Sequence, residues 1–293
     1  MSGHNDDGII HSGFKASLCT FEYSNQNKDK KINIRMKYDG KMIYGVETPV
    51  CLRAPFGLSH YTKDGADSWS VPVSSETKEN ATVAKEFFDE LNQLQQKFIE
   101  FVLANAAVFF PGKKIQNKAV VEALFRPFVK QRDDGSDMLS MKVSDMSERD
   151  LAQLKKTLQE RISEDNEDED ERTAILEVLK EKGVYNEETS EVEFPAEHVI
   201  PNVMFFRPDG SEILIFSYDD LAEAFPEKKP TYGRFIFSIR PWLVAGQVGL
   251  KAGCFMMEVE EPSKGRPRHN VFSKRESTEE ESNGGGAIDS DQE

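Results

Sequence analysis

Near the end of this 293-residue chain, two arginines and two aromatic rings recur at a spacing that suits anion binding. In "YGRFIFSIRPW" (232–242), Tyr232, Arg234, Ile236, Ser238 and Arg240 share one parity, while Phe235, Phe237 and Ile239 take the other. A strand with that pattern turns an apolar face inward and shows a ring and guanidinium groups outward. Outward arginines hold phosphates and outward rings stack on bases. Trp242 follows, and Lys251 returns a base near Arg240 after Gly246 and Gly249. A second basic face lies in "KINIRMKY" (31–38), where Lys31, Asn33, Arg35 and Lys37 alternate with Ile32, Ile34, Met36 and Tyr38, and Lys41 follows an Asp-Gly turn. A single strand of this kind is more often a solvated outer face, and most phenylalanines are more often core. Tyr232 and Trp242 are therefore expected as exposed rings before any Phe, and Pro241 is expected to break the strand.

Catalytic signatures are poor by comparison. The sequence has no GxxxxGK[ST] loop, no GxSxG, no HExxH and no GxGxxG. His4, His11 and His269 fall in segments that read as disordered, and only His60 and His198 remain as acid–base candidates. Cys19, Cys51 and Cys254 are odd in number and far apart, so neither a disulfide framework nor a Cys/His metal cluster is expected. These absences predict a protein that is not an enzyme, with no cofactor and no metal. Free thiols fit a reducing intracellular compartment. No secretory signal is expected, because "MSGHNDDGIIHSG" lacks a positive region and a hydrophobic block. No apolar run is long enough to span a bilayer, so no membrane partner is expected.

The formal charge is −15. Seven acids stand in "EDNEDEDE" (164–171) and seven more in 276–293; without those fourteen, 38 acids face 37 bases. The remainder is nearly neutral, so its bases can gather on one face and a polyanionic ligand is not excluded.

Several elements must position these residues. "SLCTFEY" (17–23), "KINIRMKY" and "MIYGVETPVCLRA" (42–54) read as strands. Phe87, Leu91, Leu94, Phe98 and Phe101 recur at helical steps, predicting a helix over 82–107 about 39 Å long, ended by Pro111–Gly112. Helical patterns recur at 147–162, near 172–182 and at 218–225. "NVMFF" (202–206) and "SEILIFS" (211–217) read as a hairpin, and "YGRFIFSIR" pairs with "GLKAGCFMMEV" (249–259). The expectation is a mainly β chain with added helices (α+β): an oligonucleotide-binding-type barrel carrying a long helix and a helical acidic insertion. A disordered arm is expected over 1–13, one barrel domain over 14–261 with the insertion at about 144–198, and a disordered acidic tail over 262–293.

"VETPVCLRAPFGLS" (46–59) and "YGRFIFSIRPWLVAGQVGLKAGCFMMEV" (232–259), taken in that order, resemble the single-stranded-DNA-binding proteins of large nucleo-cytoplasmic double-stranded-DNA viruses, distantly similar to the T-odd phage type. The matching positions are Thr48, Pro49, Phe56 and Gly57, then Trp242, Gly246, Gly249 and Leu250. They cover the two ends of the folded part and leave 60–200 unmatched. The resemblance implies an oligonucleotide-binding barrel, a role in DNA replication, recombination or repair, and an acidic tail that recruits replication proteins and competes with DNA. It would place the chain in the cytoplasm or nucleus of an infected cell. The tail departs from the phage pattern, which ends in an aromatic residue where this one ends "SDQE". The "EDNEDEDE" insertion is no part of that pattern either.

The expected phosphate contacts are Lys31, Arg35, Lys37, Lys41, Arg53, Arg234, Arg240 and Lys251, and the expected stacking rings are Tyr232, Trp242, Phe56 and Tyr44. The partner would be single-stranded DNA, bound with little base specificity, and a homodimer is compatible with the sequence. The rival reading is an acidic structural or scaffold protein, of a virion for example, whose basic faces are only solvated. A hydrolase using His60 or His198 is the least favoured.

Overall fold

The computed structural model describes residues 8–26, 31–113, 115, 117–163, 166–195 and 199–260. Five strands close into a barrel: β1 (Leu52–Ala54), β2 (Ala66–Thr77), β3 (Asp137–Val143), β4 (Thr231–Val244) and β5 (Gln247–Val259). They pair in the order β1-β2-β3-β5-β4-β1, with β3–β5 parallel and the other pairs antiparallel. That is the topology of an oligonucleotide-binding barrel, and with its helices the chain is α+β.

Alternation builds the interior. Val71 and Val73 of β2, Leu139, Met141 and Val143 of β3, and Phe235, Phe237 and Ile239 of β4 all turn inward and are buried. On β5 the inward set is Val248, Leu250, Ala252 and Cys254, then Met257 and Val259. The parity changes because Phe255 is an extra residue in the ladder: Phe237 pairs with Cys254 and Ile236 with Met256.

The stretch 42–54 is not one strand. Gly45–Glu47 and β1 both pair with β4, and between them Thr48 takes over the ladder. Its backbone N–H donates to the Phe235 carbonyl (2.9 Å), and its buried hydroxyl accepts from the Phe235 N–H (3.0 Å).

The long helix α1 (Ala81–Ala104) starts where the Asn80 side chain accepts from the N–H groups of Thr82 and Val83. It ends sooner than Pro111–Gly112 suggests. The Asn105 amide bonds back to the Phe101 carbonyl at 2.8 Å, and only the short turn Ala106–Phe109 follows. Phe87 of α1 meets Phe237 of the barrel edge-on at 6.3 Å, while Phe98 meets Phe21 at 4.9 Å. The helix is thus shared between the barrel and a separate three-stranded sheet, Cys19–Gln26, Lys31–Tyr38 and Lys41–Met42.

Three expectations need correction. Pro241 does not break its strand; it sits opposite Leu250 within β4. At that point β4 has left β1 and pairs on one side only, so the missing N–H costs no ladder bond. The helix expected near 172–182 starts earlier, inside the acidic run, and spans Glu169–Glu181. Asp168 caps this helix by accepting from the Glu171 N–H, and Glu169, Asp170 and Glu171 fill its first turn, where the helix dipole favours carboxylates. The arm expected over 1–13 contains a strand, Ile9–Ile10, which lies parallel to Gly45–Val46 because Ile10 finds a buried site. Residues 1–7, His198 and the tail 262–293 lie outside the described residues.

Between β3 and β4 the insertion forms α3 (Glu148–Arg161), α4 (Glu169–Glu181) and a hairpin, Tyr185–Asn186 with Glu191–Val192. Leu158, Ile175, Leu179, Val184 and Val192 give it a small core of its own, completed by Phe216. Helix α2 (Lys118–Leu124) precedes β3, and α5 (Tyr218–Ala224) follows the paired segments Met204–Phe206 and Glu212–Ile213.

Candidate nucleic-acid interface

The outer faces of β2 and β3 carry Ser70 and Pro72 beside Met138 and Ser140, with Ser140 opposite Pro72. These side chains leave a floor without bulky rings. Phe56 from the β1–β2 connection, Trp242 and Lys251 from the β4–β5 hairpin, and Arg126, Phe128 and Lys130 from the segment before β3 wall it in. The resulting groove holds about 680 Å³.

Each wall residue is held in place. Trp242 stands opposite Gly249, and a Cβ on Gly249 would come within 2.8 Å of the indole Cζ2. The half-exposed ring therefore rests against bare backbone. Residues Phe125–Arg126 pair in parallel with Val248–Gly249, which brings the Arg126 guanidinium 5.9 Å from the indole centroid. Phe56 is 45% exposed, and Arg132 lies 5.8 Å from its ring. Its loop is anchored by the Lys228 N–H, which donates to the Phe56 carbonyl (2.7 Å), and by Gly57 at φ +61°. A Cβ on Gly57 would meet the Pro226 carbonyl oxygen at 2.1 Å, so only glycine permits this approach.

The charges divide the predicted site. Among the described residues, Arg126, Lys130 and Lys251 form no ion pair, although all three are exposed. Arg240 is likewise unpaired and lies in an adjoining lobe of about 300 Å³, which shares Lys251 and Ala252 with the groove. Other expected contacts are already neutralised. Arg53 is paired with Glu76, Arg234 with Glu79 at 3.8 Å, and Lys37 with Glu22 at 2.8 Å. Tyr232 lies opposite Arg53, with the Lys78 ammonium 4.1 Å from its ring centroid. Burial pushes the neighbouring Cys51 thiol up to about 11, so it stays uncharged beside Arg234.

The structure therefore gathers Phe56, Trp242 and Lys251 in one groove with Arg240 beside it, and sets Arg53, Tyr232 and Arg234 in a separate, charge-compensated patch. Arg35, Lys37 and Lys41 stand on the three-stranded sheet outside the barrel, and the Lys31 side chain lies outside the described residues. Tyr44 is 74% exposed, and its ring would crowd a Cβ at Gly8. Arg126, Lys130 and Lys142 were not anticipated. The signal for the first two was the interleaving of bases and aromatics in "FRPFVKQR" (125–132), which no local periodicity ties to a strand; Lys142 alternates with the buried Met141 and Val143 of β3.

His60 does find a carboxylate, with Nε2 3.0 Å from the exposed Asp67. Its ring also stacks on Trp69 (4.0 Å, 11°), and Trp69 stacks in turn on Tyr218 (4.9 Å, 13°). Burial and the hydrogen bond to Asp145 push the Tyr218 hydroxyl pKa well above its ordinary value. The arrangement ties the hairpin of Ser59–Lys63 and β2 to the first residue of α5.

No family model and no curated protein matches the chain. Among solved structures it is similar to gp2.5, a single-stranded DNA binding protein encoded by bacteriophage T7, at 9% identity and a TM-score of 0.37, over 75% of this chain and 96% of that one. It is also similar to the single-stranded DNA-binding protein from bacteriophage Enc34 in complex with ssDNA, at 10% identity and a TM-score of 0.34, over 74% and 85% of the two chains.

Proposed function

We propose that this chain binds single-stranded DNA, without catalysis and with little sequence preference, in replication, recombination or repair. One observation carries the reading. On a chain with net charge −15, the open rings of Phe56 and Trp242 share a groove with three cations that no carboxylate neutralises. Every base has a π-face, so the rings accept any sequence, and the free cations accept the backbone. Bases kept only for solubility would need no aromatic neighbours, whereas these three line one groove with Phe56 and Trp242. In the same reading the acidic residues of 276–293 recruit partner proteins and compete with DNA for the groove, a competition that salt would screen.

The test is fluorescence anisotropy of labelled oligo-dT, titrated with the full chain and with a version ending at Glu261. Binding that fades as salt rises, and that tightens on truncation, is expected. Absence of binding by both forms at micromolar protein and low salt would overturn the reading.

A further inference from the structure

The lobe beyond Lys251 differs in chemistry from the groove it adjoins. Its cations are Lys142 of β3, Arg240 of β4 and Lys251 of β5, and none of them has an ion-pair partner among the described residues. Strand register makes them neighbours: Arg240 stands opposite Lys251, and Lys142 stands opposite Gly253, two residues along β5. Gly253 in turn faces Ser238, whose Oγ lies 3.0 Å from where a Cβ on 253 would be. The wall between the cations is therefore backbone and hydroxyl. Phe255 is its one aromatic lining residue, and that ring crowds the site of a Cβ on Gly45, so it is turned to packing. Two carboxylates fixed by hydrogen bonds also line the lobe. Asp145 accepts from the Tyr218 hydroxyl at 2.7 Å and Asp150 from the Ser147 hydroxyl at 2.6 Å.

From this we infer that the lobe is a phosphate-binding extension of the groove and a stop for the strand. Bases stack between Phe56 and Trp242, the sugar–phosphate backbone crosses Lys251, and its next phosphates sit between Arg240 and Lys142. Asp145 and Asp150 then turn the polyanion away. The inference rests on the single-stranded DNA reading above and adds to it a division of the site into a base-stacking part and a phosphate-binding part. Like charges fixed across a lobe this small repel strongly, whereas a mobile acidic side chain would swing aside.

The experiment is the salt dependence of oligo-dT affinity for the full chain and for Lys142→Ala, Arg240→Ala, their double variant, Trp242→Ala and Asp145→Asn. Each phosphate contact on a single strand contributes about 0.7 to the slope of log K against log salt. The double variant should therefore lose about 1.4 from the slope. Trp242→Ala should weaken binding with the slope unchanged, and Asp145→Asn should tighten binding at low salt. A full chain that binds DNA but gives the same slope with and without Lys142 and Arg240 would overturn the phosphate lobe alone. A full chain that does not bind oligo-dT would overturn the single-stranded DNA reading and this extension with it.

Discussion

Trp242 rests against the backbone of Gly249, directly across the β4–β5 ladder, with no room for even a methyl group between them. The contact sets the height of the indole above the groove. Gly249→Ala should push the ring outward or force the hairpin apart, at a cost of about 1–3 kcal/mol in stability. Oligo-dT affinity should fall with it. Trp242→Ala should lose about 1–3 kcal/mol of binding, the usual worth of one stacked base, without loss of fold. Anisotropy titration and thermal unfolding of the two variants separate these effects.

The unpaired and the paired cations should behave differently. Arg126→Ala, Lys130→Ala and Lys251→Ala should each reduce the salt slope of binding by about 0.7. Arg53→Ala and Arg234→Ala should leave it unchanged, since Glu76 and Glu79 already hold those guanidinium groups. Titrations at several salt concentrations check this, and equal slopes for the two sets would contradict it.

Gly57 is the structural weak point of the site. A side chain there must adopt a left-handed backbone and also clear the Pro226 carbonyl. Gly57→Ala should cost about 3 kcal/mol or more, combining backbone strain with the displaced loop. For a chain of this size the melting temperature should drop by at least about 6 °C. Far-UV circular dichroism on heating measures it.

Acid should loosen the junction of the helical insertion with the chain before β4. Burial pushes the Asp220 carboxyl up, but hydrogen bonds from Lys182 (2.7 Å) and the Phe216 N–H (2.9 Å) outweigh it and hold the group below its ordinary 3.8. A depressed carboxylate contributes stability above its unfolded pKa and loses it as pH falls through the folded one. The window is therefore below about pH 4. Lys182 is raised by the same hydrogen bond, so its contribution holds below 10.5 and fades only in strong alkali. Asp220→Asn should cost about 1–2 kcal/mol at pH 6, and the gap to the parent should shrink at pH 3. Urea unfolding of both proteins at the two pH values gives the comparison.

Much of this architecture was legible along the chain. The parity of Phe235, Phe237 and Ile239 against Arg234 and Arg240 survives in β4, although Ile236 and Ser238 between the two arginines are buried as well. The apolar spacing from Phe87 to Phe101 likewise marks α1. What local pattern could not reveal is pairing at a distance. Arg126 reaches the groove only because Phe125–Arg126 bridges to Val248–Gly249, and neither segment announces the other. Charge compensation is also non-local: Arg53 and Arg234 look like phosphate contacts until Glu76 and Glu79, on and just after β2, fold against them. Pro241 misled for a related reason, since whether a strand tolerates proline depends on the neighbour it lacks.

The most direct test of the groove is photo-crosslinking of the full chain to oligo-dT carrying 5-iodouracil, followed by mass-spectrometric mapping of the attached peptides. Crosslinks at Trp242 and Phe56, lost in high salt, are the predicted result. Crosslinks confined to Tyr44 or Tyr232, with the groove peptides unmodified, would contradict the account.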